Sequence, residues 1–214
     1  MLGPEEGNWS LSIDPRDAQT VNFSYPVGVL LGRDVPIRYL RPVVRLEMGA
    51  RSDHWPAEDR MVRPYAAEVM PEQFAEAECL VRSLGAERTF WEKATILHAE
   101  YHRDEKSVSK EKMTRHYYDL VKLFASPAGK RSLEQLPLLE AVVSHKRLFF
   151  RSGWANYDTA KPGTFRLVPP DFRLAELKAD YAEMREIMIF GDSPEFEELL
   201  GSLAAIEAEI NSLA

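Results

Sequence analysis

The chain has 214 residues, 45% of them hydrophobic and 29% charged, with a formal net charge of -7 at pH 7. This apolar content excludes a disordered chain, and the acidic balance excludes a protein coated in nucleic acid while leaving room for a local basic cleft. The single cysteine, Cys79, excludes an intrachain disulfide, fits a reducing cytoplasm and is expected to be a small buried apolar residue.

Residues 1–20 are polar and read as a loose start. Residues 20–26 alternate Val21, Phe23 and Tyr25 on one face, a strand pattern. Residues 42–51 form the clearest strand: Val44, Leu46 and Met48 share one face, Val43, Arg45 and Glu47 the other. Residues 51–60 read as a polar loop. Residues 61–69 read as a third strand, which Pro64 confines to an edge. From Pro71 the apolar period lengthens from two to about 3.6 and the remainder reads as helical. Phe90, Ala94, Leu97 and Tyr101 mark one helix; Met113, Tyr117, Leu120, Val121 and Phe124 mark the next, which SPAGK (126–130) breaks. A third apolar helix spans 136–150 and a turn-rich connection spans 151–170. A helix over 171–190 ends at Gly191, and Ser193 is expected to cap a last helix with Pro194 at its first position. Strands first and helices after make an α+β chain, with a lobe boundary near residue 71. No apolar run reaches the roughly 18 residues of a membrane helix, and the first ten residues have no signal-peptide pattern.

Lys93 lies about 40° around its helix from Leu97, at the border of the apolar stripe. A lysine there lays its stem on the core and can aim its ammonium into a cleft that receives a triphosphate; a surface lysine paired with Glu92 or Glu100 is the plainer alternative. Asp119 lies away from the apolar stripe of its helix, and either faces that cleft or pairs with Arg115 four residues earlier. Glu47 is an acid inside a strand, where acids are disfavoured. It either holds a metal for phosphoryl chemistry or balances Arg45. Arg88 and Arg51 could each meet a phosphate bidentately or serve as structural arginines. His98 and His102 share a face with Trp91 and are expected to pack at the core edge, for no third ligand stands at a useful spacing. His116, beside Tyr117 and Tyr118, carries no pattern of its own. P-loop, dinucleotide-binding, nucleophile-elbow and Cys/His metal motifs are absent from the sequence.

The stretches YLRPVVRLEMGARSD, ERTFWEKATILHAEYHR, RHYYDLVKL, VVSHKRLFF, YDTAKPGTFRLVPP and DYAEMREIMIFGDSPEFEELL, in this order, resemble the AbiEii/AbiGii toxin family of nucleotidyltransferases from type IV toxin–antitoxin systems. The resemblance implies a remnant of a polymerase-β-like nucleotidyltransferase sheet of about three strands over residues 1–70. A helical lobe would follow over residues 71–214. It implies transfer of a nucleotide from an NTP, with Mg²⁺, to an acceptor such as tRNA. It makes Glu47 the strand carboxylate and metal ligand, Lys93 the phosphate-contacting lysine and Asp119 the later acid of the site. Arg88 and Arg51, from their own chemistry, are the arginines expected beside the phosphates. A cytoplasmic location and a helix-turn-helix antitoxin partner are also implied.

The family's Gly-Gly or Gly-Ser loop and its Asp-x-Asp pair are not found in these residues, so the match covers the family's C-terminal two-thirds. Asp14 and Asp17 do not substitute, because that spacing puts two strand side chains on opposite faces. Three explanations stay open: a piece of a longer enzyme, a degenerate protein kept for binding, or a sheet completed by a partner chain. A non-catalytic module that docks an antitoxin or its own copy is therefore the alternative function, and an amputated sheet predicts self-association.

Overall fold

The computed structural model describes residues 9–25, 42–49, 53, 55–107 and 112–214. Two small antiparallel sheets precede a helical bundle. In the first sheet, β1 (Ser10–Asp14), β2 (Asp17–Ser24) and β3 (Val43–Glu47) pair in that order. The cross-strand rows Leu11–Phe23–Val44 and Ile13–Val21–Leu46 gather the apolar side chains on one face. Trp9 extends that face by stacking on Phe23 with ring centroids 5.3 Å apart. The opposite face carries the rows Ser12–Asn22–Arg45 and Thr20–Glu47. Period-two patterning in β2 and β3 dictates this split. β1 was not expected, since residues 1–20 read as loose. Its Leu11 and Ile13 alternate with serines in a short edge strand, and its hairpin is closed by aspartates rather than glycine. The backbone N–H of Arg16 donates to Asp14 Oδ1 (2.9 Å) and that of Gln19 to Asp17 Oδ1 (3.0 Å).

The second sheet pairs β4 (Ala57–Val62) with β5 (Cys79–Leu84). Four expectations change here. The strand begins inside the stretch read as a loop, and residues 65–69 form a short helix, α1 (Tyr65–Val69), instead of continuing it. Pro64 is the turning point: with φ −69° and ψ 143° it caps the helix, and the run Tyr-Ala-Ala-Glu after it favours helix over strand. β5 falls in a region read as helical; Arg82 and Ser83 interrupt any clean apolar alternation there. Cys79 is exposed, not buried, because it begins β5 opposite Val62, where the two-stranded sheet ends. The described strands therefore number five, in sheets of three and two.

The bundle comprises α2 (Ala86–Tyr101), α3 (Thr114–Phe124), α4 (Pro127–Leu133), α5 (Leu136–Phe149), α6 (Asp171–Ile187) and α7 (Phe196–Asn211). α4 was expected as a break. SPAGK stops α3 but starts a new helix, since Pro127 occupies its first turn, where a missing N–H costs nothing. α7 begins two residues later than expected. Glu195 is its N-cap and forms a reciprocal capping box with Glu198, whereas Ser193 accepts a hydrogen bond from Arg185 Nε (2.9 Å). Among the described residues, no helix is long and apolar enough to cross a membrane.

The core is built on α2. Phe90, Trp91, Ala94 and Leu97 are fully buried and share one core cluster with Tyr117 and Leu120 of α3, Val142 of α5, and Leu199, Leu203 and Ile206 of α7. Each such aliphatic side chain contributes about 1.5–3 kcal/mol by leaving water. Buried polar ties fix the angles between elements. Trp91 Nε1 donates to the Ser132 carbonyl (3.1 Å), closing α4 onto α2. The Asp180 carboxylate accepts from the Thr114 N–H (2.9 Å) at the start of α3, an anion at a helix N-terminus. Two side chains of α7 hold the connection after α5: Glu207 accepts from the N–H groups of Leu167 and Val168, and Asn211 bridges the N–H and carbonyl of Phe165.

Candidate functional site

Packing of α2 on α3 brings Lys93 and Asp119 together. Phe90, Ala94 and Leu97 seat α2 against Tyr117 and Leu120, and Lys93, at the border of that seam, reaches across to the facing edge of α3. Its Nζ donates to Asp119 Oδ2 at 2.7 Å and to His116 Nδ1 at 3.1 Å. Glu92 is engaged by Arg88, and the carboxylate of Glu100 by Arg103 at 2.5 Å, so the acids expected to pair with Lys93 on its own helix are turned elsewhere. Asp119 correspondingly pairs across the seam with Lys93.

The pair borders an open groove of about 430 Å³ lined by Thr89, Lys93, Asp119, Lys122, Leu123 and Ser126. Two lysines and one aspartate thus line a hollow together with Thr89 and Ser126, the Lys122 ammonium lying over the Tyr118 ring at 5.3 Å from its centroid. The side chains of Lys93 and Asp119 are 21% and 43% exposed, so a solute can reach both. A pair this accessible stabilises the fold by only about 0–1 kcal/mol, and exchanging the carboxylate for an arriving anion is correspondingly cheap.

Arg88 stands differently. It is fully buried, and its guanidinium donates to the Trp55 carbonyl (2.6 Å) and to Glu92 Oε1 (3.0 Å). Its Nη2 lies 3.1 Å from Asp53 Oδ2, within ion-pair reach but without hydrogen-bond alignment. It anchors the chain entering β4 to the first turns of α2. Arg51 lies outside the described residues. Glu47 ends β3 on the polar face of the first sheet, exposed and 3.6 Å from Arg45 Nη2. Its contacts join it to the sheet and not to Lys93 or Asp119. Arg45 Nη2 also lies 3.4 Å from Asp14, whose carboxyl is held below the usual range chiefly by the Arg16 N–H and then by the Asn22 amide.

A metal fits this donor set poorly. Among the described residues no three His, Cys, Asp or Glu side chains converge as metal ligands. Glu47 faces a guanidinium, and Asp14 and Asp17 are consumed by the β1–β2 turn.

His98 and His102 pack edge to face at 4.8 Å beside the core, and His98 also meets Phe165 at 5.0 Å. The Arg166 N–H donates to His98 Nδ1 (3.0 Å), which leaves the proton on Nε2. Nε2 faces the Asn156 carbonyl (3.2 Å) and Thr159 Oγ1 (3.1 Å). Burial first, then the neighbouring His102 and Arg166 charges, push the imidazole down to about 4 against the opposing Asn156 hydrogen bond, so the ring is a neutral structural tie.

Sequence reasoning passed over His116, Lys122, Thr89 and Ser126. The signal for His116 was present: it precedes Asp119 by three residues, so both project from one face of α3. A histidine beside two tyrosines gives no other hint of what it meets.

The model of the family described as nucleotidyl transferase AbiEii toxin, type IV toxin–antitoxin system, matches residues 4–202. A search of curated proteins and a search of solved structures each found no match.

Proposed function

The chain belongs to the AbiEii nucleotidyltransferase toxin family of type IV toxin–antitoxin systems, and we propose from this that the groove between α2 and α3 receives the phosphates of a nucleoside triphosphate. The family works with an NTP and Mg²⁺, and nucleotide transfer to an acceptor such as tRNA is the reaction this site would serve. The observation that carries the reading is Lys93 Nζ, 2.7 Å from Asp119 and half-sheltered in a hollow that also holds Lys122.

The chemistry asks for positive charge where the leaving pyrophosphate becomes negative. Lys93 supplies a compact charge on a stem braced by the core, and Lys122 supplies a second. Asp119 holds Lys93 in place until phosphate displaces it. Arg88 serves by fixing the start of α2, since it is fully buried, with Nη1 on Trp55 and Nε on Glu92. Glu47 is the strand carboxylate of this proposal. With the Arg45 guanidinium between it and Asp14, and no third acid, histidine or cysteine converging, the described residues do not assemble a two-metal centre. No chemical step through a metal is derived from them.

Incubation of the chain with labelled nucleoside triphosphates, Mg²⁺ and total RNA tests the proposal. Label transfer that falls at least a hundredfold in Lys93→Ala is expected, the scale of losing a main electrostatic contact to the transition state. Transfer unchanged in Lys93→Ala overturns it.

One observation favours the second reading, a binding or assembly module that docks an antitoxin or its own copy. The apolar face of the first sheet, with Leu11, Ile13, Val44 and Leu46, is exposed. Absence of any label transfer together with a stable dimer or partner complex supports the module.

A further inference from the structure

We infer that His116 is the positioning residue of this site, holding the Lys93 ammonium in register after a phosphate has displaced Asp119. The inference rests on the reading of the α2–α3 groove as the phosphate-receiving site. It begins from one hydrogen bond. An ammonium can only donate, so the contact of Lys93 Nζ with His116 Nδ1 at 3.1 Å makes Nδ1 the acceptor, and the neutral ring carries its proton on Nε2. Among the described residues Lys93 has two hydrogen-bond partners, both on α3. One of its three hydrogens is left for a ligand.

The two partners respond differently to an anion. A triphosphate entering beside Lys93 repels the Asp119 carboxylate, which is reached by water and free to turn outward. His116 bears no charge, so the same anion gives it no reason to leave. A neutral acceptor can share the ammonium with a phosphate; a carboxylate must compete with it. The lysine stem has four carbons and loses rotamer freedom when its head group is fixed. With His116 in place, much of that ordering is complete before the ligand arrives. The spacing supports the division of labour: His116 and Asp119 are one turn apart on α3, so both reach the same ammonium from one helix face.

The experiment uses the full chain and inorganic triphosphate as the probe, with binding followed by calorimetry. His116→Ala is expected to weaken binding about tenfold, equivalent to about 1.4 kcal/mol. His116→Asn, whose Oδ1 can take the place of Nδ1, is expected to stay within about twofold of the parent. In a Lys93→Ala background, His116→Ala is expected to add nothing further, the non-additivity of two groups acting as one. A second measurement needs no ligand: acetylation of Lys93 by acetic anhydride, mapped by mass spectrometry. It should speed up severalfold in His116→Ala and not in His116→Asn, because the amine must shed its acceptor to react.

Unchanged binding and unchanged acetylation in His116→Ala overturn the inference. So do equal losses in both Lys93 backgrounds, or failure of the asparagine variant to rescue. Triphosphate binding that is absent from the parent, or indifferent to Lys93→Ala, overturns the groove reading itself. The acetylation result then still decides whether His116 holds Lys93.

Discussion

At the residue scale, His98 shows how a buried imidazole writes a pH dependence into the fold. Its ordinary value in an unfolded chain is about 6.5, and the fold lowers it to about 4. Between those values the unfolded chain binds a proton that the folded chain refuses. The stabilisation from keeping the ring neutral is therefore complete above about pH 6.5 and is lost as pH falls towards 4, by about 2–3 kcal/mol. Urea midpoints measured from pH 7 to pH 4.5 should fall along this course. His98→Gln should flatten it while starting from a lower midpoint, since the Arg166 N–H loses its acceptor. The residue scale also separates what the sequence discloses from what it withholds. Lys93 was legible as a border lysine because helical period fixes its angle to Leu97. Its partner was not, because Asp119 and Arg115 stand at a spacing that equally describes a solvated pair. Only the crossing of α2 and α3 chooses between them, and no local pattern encodes that crossing. Arg88 was legible as a residue of consequence, but its burial depends on a carbonyl at Trp55, far away in sequence.

At the element scale, α4 shows why composition misleads. Pro127 and Gly129 suggested a break, yet the glycine is there for contact. A Cβ at Gly129 would collide with the backbone of the preceding helix, pressing on Phe124 Cα and lying 2.5 Å from the Phe124 carbonyl oxygen and 2.6 Å from that of Leu123. Gly129→Ala should therefore destabilise the protein by about 2–3 kcal/mol despite the better helix propensity of alanine, an overpacking cost. Thermal unfolding followed by circular dichroism at 222 nm checks it; a rise in Tm would refute the close approach. β5 was illegible for a related reason: an edge strand with mostly exposed side chains buries no continuous face, so the alternation that announces a strand is not imposed on it. β1 does alternate, but over only four residues, Ser10 to Ile13. β2, β3 and the long helices announced themselves because each presents a one-sided apolar row.

At the scale of the whole molecule, the stabilising core lies in the helices, and the first sheet adds little to it among the described residues. Leu203 is fully buried between helices, whereas Leu46 on the sheet is 52% exposed. Leu203→Ala should cost about 2–5 kcal/mol, and Leu46→Thr less than about 0.5 kcal/mol, as for surface changes generally. Chemical denaturation of both variants makes the comparison; a large loss at Leu46 would mean that the sheet's apolar face is covered in solution. The α+β class and the order of strands before helices were readable from the change of period, and the family from its motifs. The placement of β5 was not, because pairing with β4 is a long-range event decided outside the segment.

The grip of α7 on the connection after α5 also sets a timetable for synthesis. α2 leaves the ribosome long before Glu207 and Asn211 exist, and those two side chains, with the buried rings and aliphatic groups around Phe165 and Leu167, hold residues 165–168 against the His98 ring. Until they emerge, the imidazole in the last turn of α2 lacks the part of its cover that those two side chains fix. The nascent bundle therefore closes over this point only when α7 has emerged, and trimming the chain after Ile210 would remove the Asn211 tie to Phe165 while leaving the Glu207 tie in place.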